Sequence, residues 1–179
     1  MKSLINSLVY TLALTFVLFS SVYASEEKKS VIKWSEEGIP SLPDKYGFAG
    51  GYAGIVGSED DRWLVFGGGA NFPYENPFDD ALNANGGQPK VWHDDVFAIQ
   101  LKAKGLKTKE NAKWEKLGIK LPQGMGYGGS LTLKERKSAL FIGGATADGK
   151  VMVDGAYEIT RADGKFAIAK VATLPVAVG

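Results

Sequence analysis

The chain has a single histidine, and an aspartate follows it directly, as His93-Asp94. Imidazole is the side chain whose ordinary charge change falls near neutral pH. His93 can therefore serve as a general acid or base, or as a hydrogen-bond donor to a ligand. The other reading is a loop histidine that orders its own segment through backbone hydrogen bonds. Asn71, Tyr74, Trp92 and Asp94 flank it as polar and aromatic candidates for ligand contact, and Tyr46 joins them from a preceding connection. Trp92 offers either a stacking platform or the packed anchor of its loop. One histidine cannot build a three-histidine zinc site. With no cysteine there is no thiolate metal site, disulfide framework or cysteine nucleophile. Gly126-Tyr127-Gly128-Gly129-Ser130 lacks the strand-turn-helix setting of a nucleophile elbow, and no glycine-rich loop opens a helix as a phosphate site would require. What remains is proton transfer and hydrogen bonding without a metal or organic cofactor.

The elements that must position these residues repeat. One copy opens at Leu42-Pro43 and runs through Gly47-Phe48-Ala49-Gly50-Gly51-Tyr52-Ala53-Gly54. It continues through Trp63-Leu64-Val65-Phe66-Gly67-Gly68 and Asp95-Val96-Phe97-Ala98-Ile99 to Trp114-Glu115-Lys116-Leu117. A second opens at Leu121-Pro122 and runs through Gly126-Tyr127-Gly128-Gly129-Ser130-Leu131. Ala139-Leu140-Phe141-Ile142-Gly143-Gly144, Asp154-Gly155-Ala156-Tyr157-Glu158-Ile159 and Phe166-Ala167-Ile168-Ala169 follow, and a third opens at Leu174-Pro175. Each copy supplies a small glycine-rich run, a compact apolar run ending in paired glycines, and two more openly alternating runs. A propeller blade asks for this order. Its innermost strand needs small residues where backbones crowd, and the next is buried between blades. The outer strands see solvent on part of their surface. Asp95 and Asp154 recur with the repeat and are read as turn residues before the third strand. Trp34, Trp63 and Trp114 are read as blade-core and outer-strand packing.

The pattern of an apolar strand, Gly-Gly, and a later tryptophan-bearing outer strand resembles the kelch motif. The fold class is therefore all-β: a kelch-type β-propeller segment with two complete four-stranded blades, about 42–117 and 121–171, plus strands of adjoining blades. The competing architecture is an antiparallel sandwich with glycine turns. Residues 31–34 mirror the outermost strand at Trp114, and 174–179 read as the start of a third blade. On this reading the chain is the N-terminal part of a longer propeller, whose closing blades come from a longer chain or from self-association.

Three stretches carry a more specific likeness: Gly47-Phe48-Ala49-Gly50-Gly51-Tyr52, Val65-Phe66-Gly67-Gly68-Gly69-Ala70-Asn71-Phe72-Pro73, and Val91-Trp92-His93-Asp94-Asp95-Val96-Phe97. Leu121-Pro122-Gln123-Gly124-Met125-Gly126-Tyr127 and Phe141-Ile142-Gly143-Gly144-Ala145-Thr146 extend it in order. Together they resemble the cyclically permuted mutarotase family, the permuted branch of the N-acetylneuraminate epimerases. The resemblance implies an exported propeller of about six blades that interconverts the anomers of sialic acid, a small-molecule sugar, with no cofactor. It also implies a catalytic Glu and Arg in a Gly-Glu…Pro-Gly…Arg type motif, which this chain lacks; after Gly143-Gly144 stands Ala145. His93 is then the remaining acid/base candidate. Asn71, Tyr74, Trp92, Asp94 and Tyr46 are the candidates for sugar contact. The long segment between Gly69 and Asp94 and the connections carrying Tyr46 and Met125 would stand at one mouth of the channel. The alternatives are a non-catalytic propeller that binds a glycan or protein and a non-functional truncated chain.

The first residues address location. Lys2, an apolar stretch over 4–22 and small residues before a cut after Ala24 predict a secretory signal peptide over 1–24, with a charged spacer over 25–30. Periplasmic or secreted localisation follows, with no stable membrane anchor after cleavage. Losing Lys2 takes the 21 basic residues to 20, against 20 acidic ones. A neutral mature chain has no global pull toward nucleic acid or an anionic membrane.

Overall fold

A computed structural model describes residues 38–73, 90–146 and 152–176, all within the unit Glu36–Gly179. The leader and spacer, the 31–34 fragment with Trp34, Tyr74, and the residues after 176 lie outside the described residues.

Among the described residues the chain is all-β. The first four-stranded sheet runs in chain order: β1 (Tyr52–Val56), β2 (Trp63–Gly67), β5 (Asp95–Gln100), β6 (Glu115–Lys120). The second repeats it: β8 (Gly129–Leu133), β9 (Ser138–Ile142), β11 (Gly155–Ala162), β12 (Lys165–Thr173). Two short pairs stand beside them. β3 (Ala70–Asn71) pairs with β4 (Val91–Trp92), and β7 (Met125–Gly126) pairs with β10 (Ala145–Thr146). All pairings are antiparallel, and neither four-stranded sheet takes a strand from the other. A Greek-key sandwich would exchange strands between its layers. Here like faces like instead, β1 lying against β8 and β9 and outermost β6 against outermost β12. These are successive propeller blades.

The core is the seam between the blades. Tyr52, Val56, Trp63, Val65, Val96 and Ala98 from the first meet Ala139, Phe141, Tyr157 and Ile159 from the second, with Leu121, Met125 and Val153 closing the inner end. Alternation explains the choice of side chains, because successive residues of a strand point to opposite faces. On β1, Tyr52, Gly54 and Val56 are buried while Ala53 and Ile55 are not. The Tyr52 ring stacks on Phe141 at 5.1 Å and 19°, and its hydroxyl donates to the Gly143 carbonyl at 2.6 Å. Burial pushes this phenol up to about 12, against the opposing pull of a backbone hydrogen bond at Gly128.

The small polar residues of β8 have a further use. β1 is the edge of its sheet, and an edge leaves backbone N–H groups unpaired. Ser130 Oγ accepts from Ala53 N at 3.2 Å, and Thr132 Oγ1 accepts from Ile55 N at 3.0 Å. Hydroxyls two residues apart on one blade thus cap the free edge of the next. At the outer rim Asp61 accepts from Trp63 Nε1 at 2.7 Å and from Arg161 Nε at 2.8 Å. The Arg161 guanidinium stacks over the Trp63 and Phe166 rings. Trp114 packs at the outer strand, with Nε1 donating to the Pro40 carbonyl at 2.7 Å.

The repeat registers one residue away from the Gly67-Gly68 and Asp95 alignment. Gly68 N donates to Asp95 O as Gly143 N donates to Gly155 O, and His93 N donates to Gly69 O as Val153 N donates to Gly144 O. The glycine pairs are therefore Gly68-Gly69 and Gly143-Gly144, all with positive φ. Asp95 is not a turn residue: it is the first residue of β5. Its neighbour Asp94 is the counterpart of Asp154. The carbonyls of both accept from the residue that opens the next copy, Leu121 or Leu174. Two adjacent aspartates hid the offset, since either satisfies a one-residue pattern and only the hydrogen bonds tell them apart.

Candidate functional site

Of the predicted site residues, Asn71, Trp92, His93 and Asp94 stand at the end of the blades where β3 and β4 branch off after Gly69, and Tyr46 is on a turn folded against them. β3 and β4 pair Ala70 with Trp92 and Asn71 with Val91. This register brings residues about twenty positions apart onto one short ribbon, and the His93 backbone closes it by donating to Gly69 O at 2.9 Å.

Asn71 and His93 form the centre of a polar cluster. Asn71 is buried, 6% exposed. Its Nδ2 donates to the Gly47 carbonyl at 3.0 Å and reaches Asp44 Oδ1 at 3.4 Å. That leaves Oδ1 facing His93 Nε2 at 2.9 Å. An amide oxygen only accepts, so Nε2 carries a proton and Nδ1 is the basic nitrogen of the neutral ring. The Phe48 ring meets the imidazole edge-on at 4.8 Å and 90° and holds its plane. Asp44 also accepts from Tyr46 N at 2.8 Å, so the 44–48 turn is folded onto this cluster. Tyr46 rides on that turn, 50% exposed, with Lys45 Nζ 5.0 Å from its ring centre.

Trp92 belongs to a second group. Its ring meets that of Tyr127 at 5.6 Å and 72°, and Lys90 Nζ stands 4.7 Å from the Trp92 ring centre and 4.2 Å from that of Tyr127. Trp92 Nε1 is buried without a hydrogen-bond partner among the described residues. Ring packing, not a polar bond, therefore sets the indole, and its backbone lies against Gly124, where a β-carbon would come within 2.7 Å of the Trp92 carbonyl oxygen. Asp94 is in a third setting. Both its oxygens accept from Lys120 Nζ, at 3.0 and 3.1 Å. Asp154 repeats the arrangement with Lys170 at 3.1 Å, which marks this pair as a latch belonging to the blade.

Sequence reasoning missed Lys90, Asp44 and the role of Tyr127. Tyr127 was detectable in the correct register. It and Gly50 each stand two residues before an inner strand, with φ of +62° and +67°. Glycine enters this left-handed region freely; a bulky residue is held there at a cost of about 1 kcal/mol or more. Met125, from the same connection, is fully buried core.

No protein-family model matches the chain. Curated relatives do. The chain is 37% identical over 139 residues to the N-acetylneuraminate epimerase of Escherichia coli strain K12, covering 76% of this chain and 32% of that protein. It is 38% identical over 125 residues to the Shigella sonnei protein of the same name, covering 69% of this chain and 29% of the relative. The chain thus spans about a third of the length of the curated relatives it matches. Over 69–76% of its length this all-β, two-bladed chain is thus similar to proteins named N-acetylneuraminate epimerase.

Proposed function

We propose that this chain contributes to an exported sugar anomer epimerase acting on N-acetylneuraminate through general acid/base opening and closure of the sugar ring. The observation that carries the reading is the Asn71–His93 hydrogen bond, in a chain 37% identical over 139 residues to an N-acetylneuraminate epimerase. It fixes one neutral tautomer and leaves a single basic nitrogen, Nδ1, as a general base requires.

The reaction balances without a co-reactant. A base removes the anomeric hydroxyl proton while an acid protonates the ring oxygen. The ring carbon–oxygen bond then breaks to give the open-chain ketone. The carbonyl presents its other face, and closure returns both protons. In this reading His93 carries one of the two proton transfers. Asn71, Trp92 and Tyr46 line the sugar's surroundings, and the second proton-transfer group belongs to further blades of the whole protein. The largely exposed β8, with Leu131 at 53%, supports the presence of such blades. Export rests on the apolar stretch over 4–22 and the small residues before Ala24. A mature N-terminus at Ser25, read by mass spectrometry of the exported protein, checks it.

Proton NMR of N-acetylneuraminate anomer exchange tests the activity in the whole protein. Acceleration over buffer is expected, with a loss of about 100-fold in His93→Gln, the lower end of what a positioned acid/base contributes. No acceleration by the intact propeller would eliminate the epimerase reading and leave a non-catalytic binding propeller. Full rate in His93→Gln would remove His93 from the mechanism.

A further inference from the structure

The left-handed position before each inner strand is filled by Gly50 in one blade and by Tyr127 in the other, and the tyrosine is not core. Tyr127 is 43% exposed. It is seated on the neighbouring blade: Tyr127 N donates to Gly50 O at 2.7 Å, and a β-carbon at Gly50 would lie 2.5–2.7 Å from ring atoms. The blades thus hold a strained backbone and a bare glycine so that an aromatic ring stands exposed beside Trp92. Strain of this kind persists where the surroundings over-determine it, and it concentrates at ligand sites.

The cation beside these rings points to the ligand. Lys90 Nζ rests against both ring faces, and among the described residues no carboxylate pairs with it. Near the same end Lys116 and Lys120 are paired with Asp95 and Asp94, and Lys45 stands over the single exposed ring of Tyr46. Aromatic faces fix an ammonium without neutralising it and leave its outer N–H groups free to donate. A carboxylate is the partner such a group takes.

We propose that Lys90, Trp92 and Tyr127 form a subsite for the carboxylate-bearing end of an acidic sugar, with Lys90 pairing with the carboxylate and the exposed Tyr127 ring facing the sugar's carbon skeleton. This rests on the acidic-sugar reading above and supplies the cation that its substrate demands. Tyr127 and Trp92 hold Lys90 in place as well as offering apolar surface.

The test uses the whole protein, further blades included, with N-acetylneuraminate and its methyl ester, which keeps the ring and removes the charge. Dissociation constants come from NMR titration, and anomer exchange is read in the same samples. Wild type is expected to favour the acid. Lys90→Gln is expected to weaken acid binding about tenfold, the equivalent of one charge-assisted hydrogen bond, with the ester unaffected. Lys90→Arg is expected to retain the preference. Tyr127→Gly, which relieves the backbone, is expected to weaken both ligands without lowering the unfolding midpoint. The subsite is overturned if wild type binds acid and ester alike or binds neither, or if Lys90→Gln keeps the preference. Exchange that is accelerated while Lys90→Gln keeps the acid preference defeats the subsite and spares the epimerase reading. A Lys90-dependent preference with no acceleration does the reverse.

Discussion

Replacing Tyr52 by phenylalanine removes one oxygen from the seam between the blades and keeps the stack on Phe141. The hydroxyl donates to Gly143 O at 2.6 Å in a fully buried setting. Its loss leaves that carbonyl short of a partner and is expected to cost about 1–2 kcal/mol at pH 7. The pH dependence is the sharper signature. Burial raises the Tyr52 phenol from 10.0 to about 12, so the folded chain keeps its proton where the unfolded chain has lost it. This contribution is whole below pH 10 and drains away as pH rises toward 12, at a slope approaching about 1.4 kcal/mol per unit. Wild type should lose about 2 kcal/mol across that window from this group, and Tyr52→Phe should not. The two stabilities should therefore converge near pH 11–12. Urea unfolding followed by tryptophan fluorescence between pH 7 and 11.5 measures both curves. A gap that stays constant with pH, or no destabilisation at pH 7, would refute the account of the seam.

Two further outcomes are expected alongside the anomer-exchange and carboxylate tests. Burial would push the Asp61 carboxyl up, but the hydrogen bonds from Trp63 and Arg161 outweigh it and hold it below the usual carboxylate range. Its contribution is present above the unfolded value of about 4 and is lost as pH falls through the lower, folded one. Asp61→Asn should cost under about 1 kcal/mol at neutral pH, because the group is partly exposed, and its unfolding curve should merge with wild type in acid. Parallel curves from pH 7 to 3 would contradict this. Thr132→Val keeps the shape of β8 but removes the acceptor for Ile55 N. It should cost about 1 kcal/mol and speed hydrogen exchange at the Ile55 amide; unchanged protection there would deny the hydroxyl cap.

Much of the fold was legible because blade chemistry repeats along the chain. A small first strand, an apolar second strand and paired glycines recur, and local backbone and burial preferences dictate those types wherever the blade is. The sequence by itself thus determined two blades with the strand order seen, the burial of each blade's apolar second strand, and the nomination of His93 and Asn71. Only the tertiary structure decided which partners those residues take. Asn71 meets His93 across the β3–β4 ribbon, Asp94 is committed to Lys120, and Trp92 joins Tyr127 and Lys90 instead of His93. A one-residue offset separates Asp94 from Asp95, and composition does not record it. Hydrogen bonds between groups far apart in the chain do, because their geometry admits one register and excludes the next. The place of Tyr127 follows the same logic, since a left-handed tyrosine beside a bare Gly50 becomes visible only when the two blades are brought face to face.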